Sequence, residues 1–280
     1  MKILASIGRA WRFLPPRLRD RYHRLPLPLR KFLNRTLLDE TPQLVAVQSG
    51  LLAGAHLYIS PRLESGYYLG TWELEVQEML AHFVRPGMKV FDIGANIGFF
   101  ALALARLVGT EGLVVAFEPN PFVVPRLRKT IELNHLTNVQ IEEIAAAEFD
   151  GQAYFSVSLT QAQGRFADLP YVPSDGDMID VRCRTVDSYV VSTGIVPDVL
   201  LIDVEHAEGR VLRGMQQLLS TRKPLIVIEM HGPEAIAEAV SALQQHSYSF
   251  MSADLKRIAA ADIVPLGHYL AAPPGLPIGA

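Results

Sequence analysis

Val90-Phe91-Asp92-Ile93-Gly94-Ala95-Asn96-Ile97-Gly98 is a short apolar run that breaks into a glycine-containing turn and then into FFALALARLV, a segment rich in Ala and Leu. The run has the length and apolarity of a strand buried on both faces, and FFALALARLV has the period of a helix. Such a turn presents backbone N–H groups to a ligand, while Gly94 and Gly98 remove side chains that would block its approach. The next apolar run, GLVVAFE, ends in Glu118, where a carboxylate is placed to accept hydrogen bonds from two ribose hydroxyls. Strand, turn, helix and distal acid together specify a nucleoside-type cofactor.

Two features narrow the choice of cofactor. A dinucleotide site calls for glycines in a GxGxxG pattern, but counting from Gly94 puts Asn96 and Phe99 where the second and third should stand. Asp92 would also repel a pyrophosphate, whereas it favours the cationic amino group and sulfonium of S-adenosylmethionine (SAM). A SAM site is therefore expected, with a nicotinamide oxidoreductase as the weaker alternative.

Working outward, MKVFDIG, GLVVAFE, NVQIEEI, DVLLID and PLIVIEM are nearly continuous apolar runs, with helical patterns at 97–108, 121–134, 207–220 and 233–246. That alternation predicts a doubly wound α/β fold with a mostly parallel sheet and right-handed crossovers. Between 151 and 184 the rhythm changes to alternating segments, AYFSV and IDVRCR, around the Gly-, Pro- and Asp-rich LPYVPSDGD, which predicts a β insertion with a mobile loop. Upstream, QLVAVQ (43–48) and HLYIS (56–60) read as a hairpin around Gly50 and Gly54. A helix is expected from Trp72 to Phe83, with Thr71 as its N-cap and Glu73 and Glu75 in its first turn.

With 280 residues, 49% of them hydrophobic, the chain fits one large α/β domain plus an extension. The expected division is a basic, partly helical extension over 1–42, a cofactor-binding domain over 43–270, and a disordered tail, AAPPGLPIGA, over 271–280. The single cysteine, Cys183, offers neither a disulfide framework nor a cysteine metal cluster, and it favours a reducing, cytoplasmic location. No apolar run nears the roughly 20 residues of a membrane span, and Arg9 and Arg12 interrupt the start before a signal-peptide core can form.

The net charge of -3 hides an asymmetry: residues 1–35 hold ten Lys/Arg against one acid, Asp20, leaving 16 bases and 28 acids in the rest. Such a head attracts polyanions, but the acidic body has no second basic surface and no base-reading motif, so nucleic acid is not expected as a partner. Ile3, Leu4, Ile7, Trp11 and Leu14 share one face of a helix stopped by Pro15 and Pro16. That face either lies on a membrane surface or, as is commoner for so short a stripe, packs on its own domain or a partner.

The second polar cluster is Asp203-Val204-Glu205-His206-Ala207-Glu208, at the carboxyl end of DVLLI, where open α/β sheets bind ligands. An alcohol is a poor nucleophile at neutral pH, and Asp203, Glu205 or His206 could take its proton. Asp203 could equally cap the following helix, and Glu205 and Glu208 could simply favour its positive end. Glu229 and His231, at the end of PLIVIEMH, form a third cluster on the same edge, with His231 as suited to a structural hydrogen bond as to substrate contact. A metal ion is not expected, because the spacing gives no helical His pair and no other metal motif.

FDIGANIGFFALALA, AFEPNP, Asn134, LIDVEHAE with Leu212 and Gly214 behind it, and IVIEMH resemble, in order and spacing, the FkbM family of SAM-dependent methyltransferases; GYYLGTWE at 66–73 is similar to the region that precedes the family's cofactor motif. The resemblance covers residues 45–270. It implies a class I (Rossmann-like) methyltransferase fold and O-methylation of a hydroxyl on a sugar, glycan or polyketide-type natural product. It also implies that Asp92, Gly94, Ala95, Asn96 and Gly98 border the methionine part of SAM, that Glu118 accepts from the ribose, that Pro119 and Asn120 turn the chain beside the cofactor after that strand, and that Ala145–Ala147, Ala146 among them, fall where the adenine edge is bordered. Where the family has Asp-Val-Glu-Gly-Ala-Glu, this chain has His206 in place of the glycine. A non-catalytic, methyltransferase-like binding module at a membrane is the remaining alternative.

Overall fold

The computed structural model describes residues 26, 28–29, 38–158, 164–166 and 176–276. The expected N-terminal helical stripe, most of the LPYVPSDGD loop and the last four residues lie outside the described residues. The chain divides into two compact units, one ending at Leu74 and including Glu132–Asn134, the other comprising the rest.

In the first unit β1 (Gln43–Ala46) and β2 (His56–Ile59) pair antiparallel, Gln43 opposite Ile59, which is the expected hairpin. A short helix, α1 (Ser65–Leu69), has no counterpart among the expected elements. It stops at Gly70, whose φ of +73° is left-handed and whose absent Cβ would stand 1.9 Å from the Ser49 carbonyl oxygen. Asn134 brackets His56, accepting from its N–H at 2.9 Å and donating to its carbonyl at 2.7 Å.

The helix expected from Trp72 begins later, as α2 (Leu74–Phe83). Glu73 has φ +43°, outside the helical region, so residues 72–73 form a turn and Thr71 is not the cap; its N–H instead closes α1 by donating to Gly66 O.

The second unit runs β3 (Lys89–Ile93), α3 (Phe99–Val108), β4 (Leu113–Phe117), α4 (Val124–Leu133), β5 (Val139–Glu142), β6 (Ala145–Ala146), β7 (Gly151–Ser158), β8 (Gly164–Phe166), β9 (Gly176–Arg184), α5 (Val186–Thr193), β10 (Val199–Ile202), α6 (Glu208–Arg213), α7 (Gln216–Thr221), β11 (Leu225–Met230), α8 (Pro233–Gln244), β12 (Ser249–Ser252), β13 (Arg257–Ile258) and β14 (Gly267–Ala272). The five apolar runs of the sequence are β3, β4, β5, β10 and β11, all parallel in the order β5-β4-β3-β10-β11. Beyond β11 the sheet continues through the antiparallel β14 and then β12 and β13, none of them marked by the sequence pattern. Ala271 and Ala272 are fully buried within β14, so the stretch expected as tail begins two residues later.

Strand order reverses between β3 and β10, and a crevice opens at such a switch point beyond the carboxyl ends of the strands. Phe91, Phe117 and Tyr189 meet edge to face at centroid distances of 5.1–5.6 Å and anchor the core on one face of the sheet. Because strand side chains alternate, Asp92 points to the opposite face from Phe91 and Ile93.

The single helix expected over 207–220 is two. Gly214 lies at the break, where a Cβ would stand 1.9 Å from the Ala147 carbonyl oxygen, and the Asp187 carboxylate accepts from the Gln217 and Leu218 N–H groups to start α7. The β insertion forms its own sheet, β6-β9-β7-β8, with Phe155, Val157, Phe166, Val181 and Cys183 packed against Ala145, Ala147 and Ala207. No helix among the described residues is long and apolar enough to cross a membrane.

Candidate functional site

The turn after β3 is held from within. Gly94 and Ala95 both donate their N–H to the Phe117 carbonyl at 3.0 Å, Asn96 donates to Glu118 Oε2 at 2.9 Å, and Gly98 donates to Ala95 O at 2.9 Å. The expected row of N–H groups facing a ligand is therefore absent at these four residues, because the end of β4, Glu118 and the turn itself take the donors. The glycines also act differently from the expectation. A Cβ on Gly94 (φ +95°) would stand 1.8 Å from Asp203 O, and one on Gly98 (φ +87°) would stand 2.6 Å from Leu127 Cδ1 on α4. Gly94 thus allows the segment after β10 to cross the turn, and Gly98 lets α4 pack against it.

Two buried carboxylates lie at this corner. Glu118 accepts from Asn96 N and Asn120 N with one oxygen each, leaving lone pairs on both. Burial outweighs those donors and lifts it to about 7. Asp92 is 2% exposed, and its Oδ2 is buried without a hydrogen-bond partner. Burial, and then the Glu118 charge, push it to about 7 as well. A buried carboxylate with an unpartnered oxygen beside a second carboxylate is an environment short of positive charge.

Across Gly94 lies the second group of acids, gathered around His231. Glu208, fully buried, accepts from His231 N at 3.0 Å and from His231 Nδ1 at 2.6 Å. Nε2 of the same ring faces Glu229 Oε2 at 3.5 Å and Asp203 Oδ1 and Glu205 Oε2 at 3.8 Å. Burial alone would lower the imidazole, but the Glu208 hydrogen bond and the charges of Glu208, Glu229 and Asp203 outweigh it and hold His231 at about 9. Glu229 sits below its ordinary value: burial raises it, but a hydrogen bond from His268 and the charges of His231 and His268 win. His268 also contacts Glu75 through Nδ1 at 3.1 Å.

A model of the methyltransferase FkbM domain matches residues 92–250, more than half of the chain and a span that holds both clusters. The chain belongs to the FkbM methyltransferase family. Two curated relatives are similar to it: the 31-O-demethyl-FK506 methyltransferase FkbM of Streptomyces tacrolimicus, 28% identical over 60% of this chain and 75% of that enzyme, and the hexuronic acid methyltransferase AglP of Haloferax volcanii, 28% identical over 57% and 62%. The solved structure of an FkbM methyltransferase from Methylobacillus flagellatus aligns with a TM-score of 0.45 at 16% identity, over 71% of this chain and 54% of that one. The match therefore spans less than two thirds of AglP and of the solved FkbM protein.

Within this FkbM domain the expected residues divide by what their side chains do. Asp92 and Glu118 come together, with half-buried Gly94 and Asn96 beside them; Asn96, at φ +49°, is also left-handed. Asn120 is buried, and its Oδ1 accepts from Phe122 N to start the turn into α4, with half-buried Pro119 before it. Ala146 packs into the core while its backbone pairs with Arg184. Asp203, Glu205, Glu229 and His231 converge. His206 lies near them, 5.9 Å between ring centroids from His231 with the rings tilted by 56°, and its φ of +63° is the left-handed conformation the family glycine would adopt freely. The backbone is thus kept and the imidazole is added to the site.

Sequence reasoning alone misses Glu208 and His268 as members of the site. Glu208 reads as a helix-end charge, and its sequence neighbours carry no sign that it turns inward to His231. His268 lies on β14, a strand without a recognisable pattern.

Proposed function

We propose that this FkbM domain is a SAM-dependent O-methyltransferase acting on a hydroxyl of a sugar, glycan or natural product. The observation that carries it is Asp92: a buried carboxylate with an unpartnered oxygen, next to Glu118, at the point where the sheet order reverses. Such a pair favours a cationic nucleoside ligand and disfavours a pyrophosphate. The relatives support the substrate class, since one is named for 31-O-demethyl-FK506 and the other for a hexuronic acid.

SAM supplies an electrophilic methyl group carried on sulfur. The chain's part is to bind and orient, and to receive the proton that a hydroxyl gives up when it is methylated. Asp92 offsets positive charge, and the free lone pairs of Glu118 are available to ribose hydroxyls. Asp203 and Glu205, with side chains 37% and 23% exposed, are the carboxylates open enough to receive the hydroxyl proton. His231 already holds its own proton at neutral pH, so it orders these acids and is not the base.

The test is calorimetry of the full chain with SAM and S-adenosylhomocysteine, followed by methyl transfer to a panel of sugars and natural-product alcohols read by mass spectrometry. Both nucleosides should bind, Glu118→Ala should weaken them at least tenfold, and one methyl should appear on an oxygen. A folded protein that binds neither nucleoside would sink the proposal.

A further inference from the structure

Two carboxylates and one imidazole nitrogen have the spacing of a partial coordination shell. Asp203, Glu229 and His231 each offer one ligand atom, and these atoms all lie within 4.8 Å of one another. The His231 Nε2 distances of 3.5 and 3.8 Å to Glu229 and Asp203 are too long for strong hydrogen bonds. They are close to the roughly 3.0–3.4 Å that separates two ligands each about 2.1 Å from a shared ion.

A further observation points to a cation. The His231 side chain is 6% exposed, makes no hydrogen bond through Nε2, and aims that atom into the cluster. Its other nitrogen is fixed by fully buried Glu208 at 2.6 Å, an arrangement that places a proton on Nδ1 and turns Nε2 toward a metal.

We propose that Asp203, Glu229 and His231 bind one divalent first-row ion of the Mn2+ class, with open positions facing the methyl acceptor. The mixed imidazole and carboxylate set selects Mn2+ over Mg2+, which prefers oxygen alone. The ion takes the place of the proton that His231 Nε2 otherwise carries. Resting on the O-methylation reading, the ion takes the acceptor's hydroxyl oxygen, often with a neighbouring oxygen of a diol, and lowers that hydroxyl's pKa. The hydroxyl proton passes to Glu205, and the methyl moves from sulfur to oxygen to leave S-adenosylhomocysteine. The ligands come from the ends of adjacent strands, β10 and β11, so no helical spacing marks them in the sequence.

The full chain, stripped with a chelator, is titrated with Mn2+ and the free ion followed by electron paramagnetic resonance. One ion per chain is expected, weakened at least tenfold in Glu229→Gln and in the more exposed Asp203→Asn, each of which should still bind S-adenosylhomocysteine as a check on its fold. Absence of saturable Mn2+ binding, or binding indifferent to both substitutions, overturns the ion. Nucleoside binding without Mn2+ binding overturns the ion and leaves the methyltransferase proposal standing; Mn2+ binding without nucleoside binding does the reverse.

Discussion

Asp92→Asn separates what the carboxylate does for the fold from what it does for a ligand. Asp92 stands at about 7 against an ordinary 3.8, about three units, and each unit is about 1.36 kcal/mol. Holding the ionised form in the unliganded fold at pH 8 therefore costs about 4 kcal/mol. The sign follows from proton counting. Between pH 4 and 7 the unfolded chain has released the proton that the folded chain keeps, so stability falls as pH rises and is lowest once both forms are ionised. At pH 5 only about 1.5 kcal/mol of that penalty is present.

Asparagine removes the charge but leaves a buried amide short of partners, which costs about 1–3 kcal/mol. The variant should thus match or fall slightly below the parent at pH 5 and exceed it by about 1–3 kcal/mol at pH 8. The difference grows by about 2–3 kcal/mol across the range, which for a chain of this size moves the melting temperature apart by roughly 5 °C or more. Scanning calorimetry of both proteins at the two pH values gives the double difference. SAM should raise the parent's melting temperature more at pH 8 than at pH 5, and Asp92→Asn should lose most of that gain. A variant destabilised equally at both pH values would show that Asp92 is neutral or partnered in the fold and refute the charge argument.

His206→Gly releases a left-handed side chain worth about 1–2 kcal/mol against about 0.5–1 kcal/mol for the freer unfolded chain, so urea unfolding should show a stability unchanged or raised by up to about 1 kcal/mol, with SAM affinity retained. Gly94→Ala sets a methyl against the Asp203 backbone at φ +95° and should lose about 3–5 kcal/mol, whereas Gly98→Ala meets the flexible end of Leu127 and should lose about 1–3 kcal/mol; denaturant midpoints in the reverse order would contradict the packing roles assigned to the two glycines.

The parallel strands are legible because each is a continuous apolar run, and burial on both faces imposes that composition on β3, β4, β10 and β11. β12 and β14 are not, since SFMS and GHYLAA are short and mix small and polar residues with the apolar ones, although Phe250, Met251 and Tyr269–Ala272 are buried. The break at Gly214 is hidden for another reason: Ala147, which crowds Gly214, and Asp187, which caps α7, are distant in sequence and adjacent only after folding. In the site, Asp92, Glu118, Asp203 and Glu229 can be placed on one edge, because strand ends fix positions along a sheet. The direction of Glu208 cannot be read, since the three acids of DVEHAE differ only in where the turn into α6 aims them. The roles of Gly94 and Gly98 differ from expectation because a glycine reports that a Cβ is forbidden without saying which atom forbids it.

Both halves of the site share an electrostatic condition that bears on the acceptor. Asp92 and Glu118 have the N–H donors of Asn96 and Asn120 near them, and Asp203, Glu205, Glu208 and Glu229 surround one imidazole; no Arg or Lys is among these residues. Six carboxylates against the two imidazoles of His231 and His268 leave negative charge in excess even when Asp92 and Glu118 share protons. An anionic acceptor such as a uronate would be repelled at short range, where the dielectric is low and each unit charge matters most. A neutral polyol meets no such barrier, and a uronate meets a smaller one only if a cation first occupies the corner between Asp203, Glu229 and His231. The charge of the acceptor and the occupancy of that corner are therefore linked: the more acidic the sugar, the steeper the dependence of its methylation on a divalent ion should be.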